Sequence, residues 1–98
     1  MIWIMTAAEP QAFTITVDGR LAGEYVEALD TCVNRAIGHG RPVHLFLRDV
    51  TSIDESGRAL LVLLAAKGVQ LSAAGVYNSY IVAKITASAA QRIASLKN

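Results

Sequence analysis

Hydrophobic and polar residues repeat with two different periods along this chain, and the order of those periods predicts its elements. Residues 13–17 alternate apolar and polar side chains, which is typical of a strand with one covered face. Residues 43–47 and 69–74 repeat the same alternation. Residues 2–7 form a short apolar run, and Pro10 separates that run from the strand that follows. We therefore predict four strands.

Between the strands, apolar residues recur at steps of three and four, the period of an amphipathic helix. The first apolar stripe ends before Gly38 and consists of Val26, Leu29, Val33, Ala36 and Ile37. A second helix is predicted over residues 56–67, with Leu60, Leu63 and Leu64 buried and Leu61 close by. A third is predicted over residues 78–98, with a break near residues 86–88 and a resumption through Ile93 and Leu96.

This order predicts an α/β fold with a mixed sheet of four to five strands and helices packed on one face. Strand 43–47, the second helix and strand 69–74 should form a right-handed parallel crossover. The dipeptide Asp18-Gly19 predicts a turn after the second strand. Trp3 and Phe46 have two interpretations: an apolar patch on the open face of the sheet, or a patch covered by the C-terminal segment.

Composition narrows the class of protein. The chain has 98 residues, of which 53% are hydrophobic and 17% charged, so we expect one ordered domain over residues 1–98. The net charge is +1 without a Lys/Arg cluster, which argues against nucleic acid as a partner. The apolar runs are too short for a signal peptide or a membrane span. A single cysteine, Cys32, fits a reducing compartment, and we expect a cytoplasmic protein that is not inserted in a membrane.

Asp54, Glu55 and Ser56 stand immediately before an apolar helix and form the main candidate site. Asp and Ser are favoured N-cap residues, and acidic side chains complement the helix dipole. Gly57 allows another segment to approach the backbone closely, and Arg58 adds a positive charge. Because a loop at the start of a helix commonly carries a recognition surface, we interpret residues 54–58 as a partner-binding site.

The sequence offers little for catalysis or for metal and cofactor binding. His39 and His44 have no further ligand at a metal-like spacing, and nothing cationic is placed to lower the pKa of Cys32. Ser56 lacks the G-x-S-x-G context of a hydrolase nucleophile, and no Gly-rich phosphate loop is present. We therefore expect a protein that is not an enzyme and that needs no cofactor.

Residues 45–60, which read LFLRDVTSIDESGRAL, resemble the signature of STAS domains, the anti-sigma factor antagonist family. That signature is a hydrophobic strand, an Asp, a short loop, and then Asp-Ser-Ser/Thr-Gly at the start of a helix. Leu21-Ala22-Gly23 resembles the L-x-G of the family before its first helix. Residues 68–75 resemble its fourth strand and the following turn, so the resemblance spans roughly residues 12–85. It implies a STAS-like fold.

The resemblance also implies a protein-interaction function and a partner. In the family, an anti-sigma factor kinase phosphorylates the Ser or Thr that follows the Asp, and the phosphorylated form releases its partner. Here Glu55 occupies that position, so the usual switch should be absent, while Ser56 matches the second, structural Ser. The domain would then be locked in one binding state, bind without phosphoregulation, or have another task. The alternatives are a subunit that docks on a transporter ATPase and a sensor of a small ligand or nucleotide.

Overall fold

The predicted alternation of strands and helices is present along the chain. The computed structural model describes residues 1–96, and their side chains as far as residue 88. The elements are β1 (Ile2–Ala8), β2 (Phe13–Leu21), α1 (Glu24–Ile37), β3 (Val43–Ile53), α2 (Glu55–Ala66), β4 (Gln70–Ala73) and α3 (Val76–Leu96).

The four strands form one mixed sheet in the order β1-β2-β3-β4. β1 runs antiparallel to β2, whereas β2, β3 and β4 run parallel to one another. Leu45 of β3 lies opposite both Ile15 of β2 and Leu71 of β4. The predicted parallel pairing across the β3-α2-β4 unit is therefore confirmed, and the mixed sheet has four strands.

All three helices pack against one face of the sheet around a single hydrophobic core. Alternate residues of β2 and β3 are completely buried on that face, among them Ile15, Val17, Leu45 and Leu47. The helices contribute Leu29, Val33 and Ala36 from α1, Leu60, Leu61 and Leu64 from α2, and Val82 and Ile85 from α3. Strands with one buried face and helices with one buried stripe account for this two-layer arrangement.

The opposite face of the sheet carries the apolar patch that the sequence suggested. Met5, Thr16 and Phe46 lie side by side across β1, β2 and β3. The side chains of Trp3 and Met5 are 62% and 45% exposed. Within the described part of the chain, α3 lies against α2 and β4 on the other side of the sheet and leaves Trp3 and Met5 uncovered.

The turn predicted at Asp18-Gly19 is wrong, because β2 continues through it as far as Leu21. The strand is irregular there, and its register with β3 shifts between Val17 and Asp18 and again after Gly19. Asp18 accepts hydrogen bonds from the Arg48 guanidinium and, at 3.0 Å, from the Asp49 N–H. Gly19 has φ of +102°, a conformation that glycine adopts without strain. The dipeptide therefore forms a bulge rather than a reversal of the chain.

The ion pair between Asp18 and Arg48 holds this bulge against β3. The pKa of Asp18 is lowered chiefly by the hydrogen bond from Arg48, and the charge of that guanidinium and the Asp49 N–H act in the same direction. The same hydrogen bond raises the pKa of Arg48. Because both side chains are accessible to solvent, water screens this pair, and we expect it to add little to the stability of the fold.

The third helix is continuous from Val76 to Leu96, so the predicted break near residues 86–88 is wrong. The expected packing of Ile93 and Leu96 and the helical state of Lys97 and Asn98 lie outside the described residues. Asn78, in the first turn of α3, is buried and donates from Nδ2 to the carbonyl of Val50 at 3.1 Å, which ties α3 to β3. No helix in the described part of the chain is long and apolar enough to cross a bilayer.

The buried stripe of α2 differs from the prediction at one position. Leu60, Leu61 and Leu64 are buried, but Leu63 is 41% exposed. α2 packs against the sheet and against α3, so its buried surface is rotated toward Leu61.

Replacing Leu61 or Leu63 with alanine should distinguish the buried side of α2 from its exposed side. Leu61→Ala removes a completely buried side chain and should lower the free energy of unfolding by about 2–5 kcal/mol. Leu63→Ala should change it by less than about 1 kcal/mol, because the side chain is already partly in water. Urea titration followed by circular dichroism measures both values, and equal losses would contradict the described orientation of α2.

Candidate functional site

The candidate site lies at the N-terminus of α2. Of the two predicted N-cap candidates, Asp54 is the N-cap residue, whereas Ser56 lies within the first helical turn. The backbone of Asp54 is extended, and its Oδ1 accepts a hydrogen bond from the Gly57 N–H at 2.7 Å. The Ser56 hydroxyl donates to the same oxygen at 2.9 Å. Asp54 thus satisfies one of the unpaired N–H groups of the first helical turn, and Ser56 supports the cap.

The second oxygen of Asp54 connects this helix to another one. Oδ2 accepts a hydrogen bond from the backbone N–H of Gly23 at 2.9 Å, and Gly23 is the N-cap residue of α1. Its φ of +59° lies in the left-handed region, which favours glycine at this position. One carboxylate therefore holds the N-termini of α1 and α2 together.

These hydrogen bonds stabilise the ionised form of Asp54. The Gly23 N–H lowers the pKa of Asp54 most, followed by the Gly57 N–H and the Ser56 hydroxyl. The direction is expected, because donors that point at a carboxylate favour its charged state. At neutral pH the carboxylate is therefore ionised and occupied by internal donors.

Gly57 is the contact point between α2 and the end of β2. A Cβ atom at this position would lie 2.5 Å from the carbonyl oxygen of Leu21 and 3.2 Å from Cγ2 of Ile53. The Leu21 oxygen also accepts a hydrogen bond from the Asp54 N–H at 3.1 Å. The close approach predicted for Gly57 is thus made by the chain itself, and it fixes where the helix starts.

Glu55, Ser56 and Arg58 are exposed at this helix end, while Gly57 is buried. Neither Glu55 nor Arg58 forms an ion pair with another described residue. Further along the same side of α2, Ala59 and Leu63 are also exposed. We call this surface the α2 strip and define it as Glu55, Ser56, Arg58, Ala59 and Leu63. It combines two free charges with an apolar extension.

The histidines and the cysteine lie away from this site. His44 is near the start of β3, roughly 30 Å along the strand from Asp54, and its Nε2 is 2.8 Å from the Ser72 hydroxyl. His39 stacks on Phe13 with ring centroids 5.8 Å apart. Burial raises the pKa of the Cys32 thiol, which is the opposite of what a nucleophile requires. Among the described residues, no group of three or more His, Cys, Asp and Glu side chains is arranged to hold a metal ion.

The sequence did not predict a cleft that lies beside Gly23. An open cleft of about 370 Å³ lies there, lined by Arg20, Ala22, Gly23, Glu24 and Tyr25. No local motif marks it, because it is formed where β2 ends and α1 begins. The only signal was the resemblance of Leu21-Ala22-Gly23 to a family motif, which gave no role to its neighbours.

No family model matches the chain. A search of curated proteins finds no match either.

The bridging role of Asp54 predicts a pH-dependent loss of stability in Asp54→Asn. The amide oxygen can still cap α2, but the amide nitrogen cannot accept a hydrogen bond from Gly23. Because the folded pKa of Asp54 lies below its ordinary value of 3.8, the ionised carboxylate stabilises the fold above that value. This contribution disappears as the pH falls through the folded pKa.

The free energy of unfolding of Asp54→Asn should thus be lower than that of the wild type at neutral pH. The difference should shrink in acid, as the pH falls below 3.8 and then through the lowered pKa of the folded state. Urea titrations at several pH values measure it. Leu61→Ala serves as the control, because its loss involves no titrating group and should stay constant. A constant difference for Asp54→Asn as well would contradict the bridging role.

Proposed function

We propose that the chain is a divergent STAS-type domain that binds a protein partner through the α2 strip. The observation that carries this proposal is the arrangement at the N-terminus of α2. There Asp54 and Gly57 are occupied by internal contacts, while Glu55 and Arg58 are exposed and unpaired among the described residues. A site of this kind offers charge for partner selection rather than groups for catalysis.

The way in which the sequence motifs meet supports the family assignment. Leu21-Ala22-Gly23 and Asp54-Glu55-Ser56-Gly57 are separate in the sequence, yet both supply atoms to one hydrogen-bonded cluster. The parallel β3-α2-β4 unit and the helices on one face also agree with what the resemblance implied. Agreement of motif spacing with spatial contact is stronger support than either motif alone.

Glu55 gives the proposed site a permanent negative charge at the first position of α2. A carboxylate carries about one charge, whereas a phosphoserine carries about 1.5 to 2 and has an additional oxygen acceptor. The domain should therefore bind its partner without regulation by phosphorylation at this position. The exposed Leu63 supplies apolar contact area two helical turns further along the strip.

Charge reversal on the α2 strip should weaken partner binding without unfolding the protein. Glu55→Lys and Arg58→Glu both change exposed side chains, so we expect at least a tenfold loss of affinity from each with little change in stability. Glu27→Lys is the matched control, because Glu27 is also an exposed acidic residue in the first turn of a helix. Affinity purification from the native host with each variant as bait, followed by titration calorimetry with the recovered partner, measures the effect.

The proposed domain could serve in one of two kinds of complex, and the identity of the recovered partner distinguishes them. A kinase-like regulator would indicate the anti-sigma antagonist type, and an ATPase of a membrane transporter would indicate a transport-complex subunit. A partner that binds all four proteins equally would place the interface elsewhere and contradict the proposal.

A phosphorylation assay tests the absence of the switch. With a kinase partner and ATP, the wild-type chain should take up no phosphate in this loop, whereas Glu55→Ser should be phosphorylated. Ser56 is a poor acceptor, because its hydroxyl donates to Asp54 Oδ1 and a phosphate there would face that carboxylate. Mass spectrometry locates the phosphate. Glu55→Ser combined with Ser56→Ala should still be modified, and stoichiometric phosphate on Ser56 of the wild type would contradict the prediction.

A further inference from the structure

β1 leaves one edge of the sheet open. It pairs only with β2 among the described strands and lies at the end of the sheet order. Backbone hydrogen bonds join Met1 to Arg20 and Glu9 to Ala12, so the odd-numbered residues of this segment exchange hydrogen bonds with β2. By the alternation of an antiparallel ladder, Ile2, Ile4, Thr6 and Ala8 direct their N–H and C=O groups outward. These groups match the backbone of another extended strand.

Within the described part of the chain, this edge lacks three common protections against strand pairing. Natural sheets blunt their edges with charged residues, proline or bulges. Residues 2–8 contain no charged residue and no proline, and their register with β2 runs without a shift. The exposed Trp3 and Met5 add apolar area next to the open edge. The edge is therefore suited to pairing rather than to exposure.

We propose that β1 pairs antiparallel with β1 of a second copy of this chain, with the two-fold axis at Met5. The two sheets then form one continuous sheet with the helices of both copies on the same side. In this register Ile2 lies opposite Ala8 of the second copy, and Ile4 lies opposite Thr6 of the second copy. Each of these pairs exchanges two backbone hydrogen bonds, and all four outward residues of both copies are used.

The distribution of side-chain size along β1 favours a second copy of β1 as the pairing strand, and it favours this register. Large residues stand at positions 2–5, and small ones at positions 6–8. Antiparallel pairing about Met5 places the large half of each strand against the small half of the other. On the open face, Trp3 lies opposite Ala7 of the second copy, so an indole meets a methyl group rather than another indole. Cross-strand pairs of this kind are the unit of sheet stabilisation.

The interface is isologous, because the two-fold axis uses the same edge in both copies, and the assembly therefore stops at a dimer. It involves one strand from each copy, which is small compared with permanent interfaces, so we expect a reversible dimer in the micromolar range. This inference does not depend on the proposed function, because β1 and the α2 strip share no residue.

Sedimentation velocity over a wide concentration range tests the dimer. The wild-type mass should rise from 10.4 kDa toward twice that value. Met5→Lys and Met5→Glu each place like charges opposite one another and should weaken the dimer at least tenfold. An equal mixture of the two variants should restore it, which a folding defect would not. A wild type that remains monomeric, or a Met5→Lys variant that dimerises as well as the wild type, would overturn the proposal.

Disulfide formation tests the register. In a Cys32→Ala background, Met5→Cys places two thiols across the two-fold axis at a Cα separation of about 4.5 Å, within the range for a disulfide. Trp3→Cys is the control, because the two substituted positions would be about 13 Å apart along the strands. We expect mild oxidation to cross-link Met5→Cys and not Trp3→Cys. Cross-linking of Trp3→Cys alone, or of neither variant, would overturn the proposed register.

Discussion

The carboxylate of Asp54 accepts hydrogen bonds at the N-termini of two helices, and the arrangement around the candidate site depends on it. One oxygen caps α2 through Gly57, and the other binds the N–H of Gly23 at the start of α1. The backbone N–H of Asp54 donates to Leu21, so the ends of β2 and β3 belong to the same cluster. One residue, through its carboxylate and its backbone N–H, thus connects the sheet and helix layers at a single end of the domain.

This constraint divides the residues of the site between two tasks. Asp54 and Gly57 are used by the fold, since their polar groups or their missing side chain serve contacts within the chain. Ser56 supports the cap and keeps its hydroxyl turned toward Asp54. Glu55 and Arg58 are exposed and form no ion pair with another described residue, so they are the charges that the proposed interface would use. Under the proposed function, a Glu in place of the hydroxyl would change the charge of this surface and leave the contacts of Asp54 and Gly57 as they are.

Local signals predicted the parts of the structure that depend on local physics. The element order, the parallel strands around α2 and the N-cap role of Asp54 follow from periodicity, crossover handedness and residue type. The bulge at Asp18 was missed because its partner, Arg48, comes from a distant strand. The orientation of Leu63 depends on how α2 packs between the sheet and α3. The hydrogen bond from Gly23 to Asp54 could not be predicted either, because the sequence at a helix N-terminus does not indicate which distant side chain will bind there.

Gly57 approaches the Leu21 carbonyl so closely that a Cβ atom would not fit between α2 and the end of β2. A helix seated in this way presents its first turn in one orientation before any partner arrives. Little conformational freedom then has to be given up on association, so a small set of contacts can support selective binding. The same rigidity limits adaptation, and a partner with a different spacing between its complementary charges would find no compliant backbone to meet it.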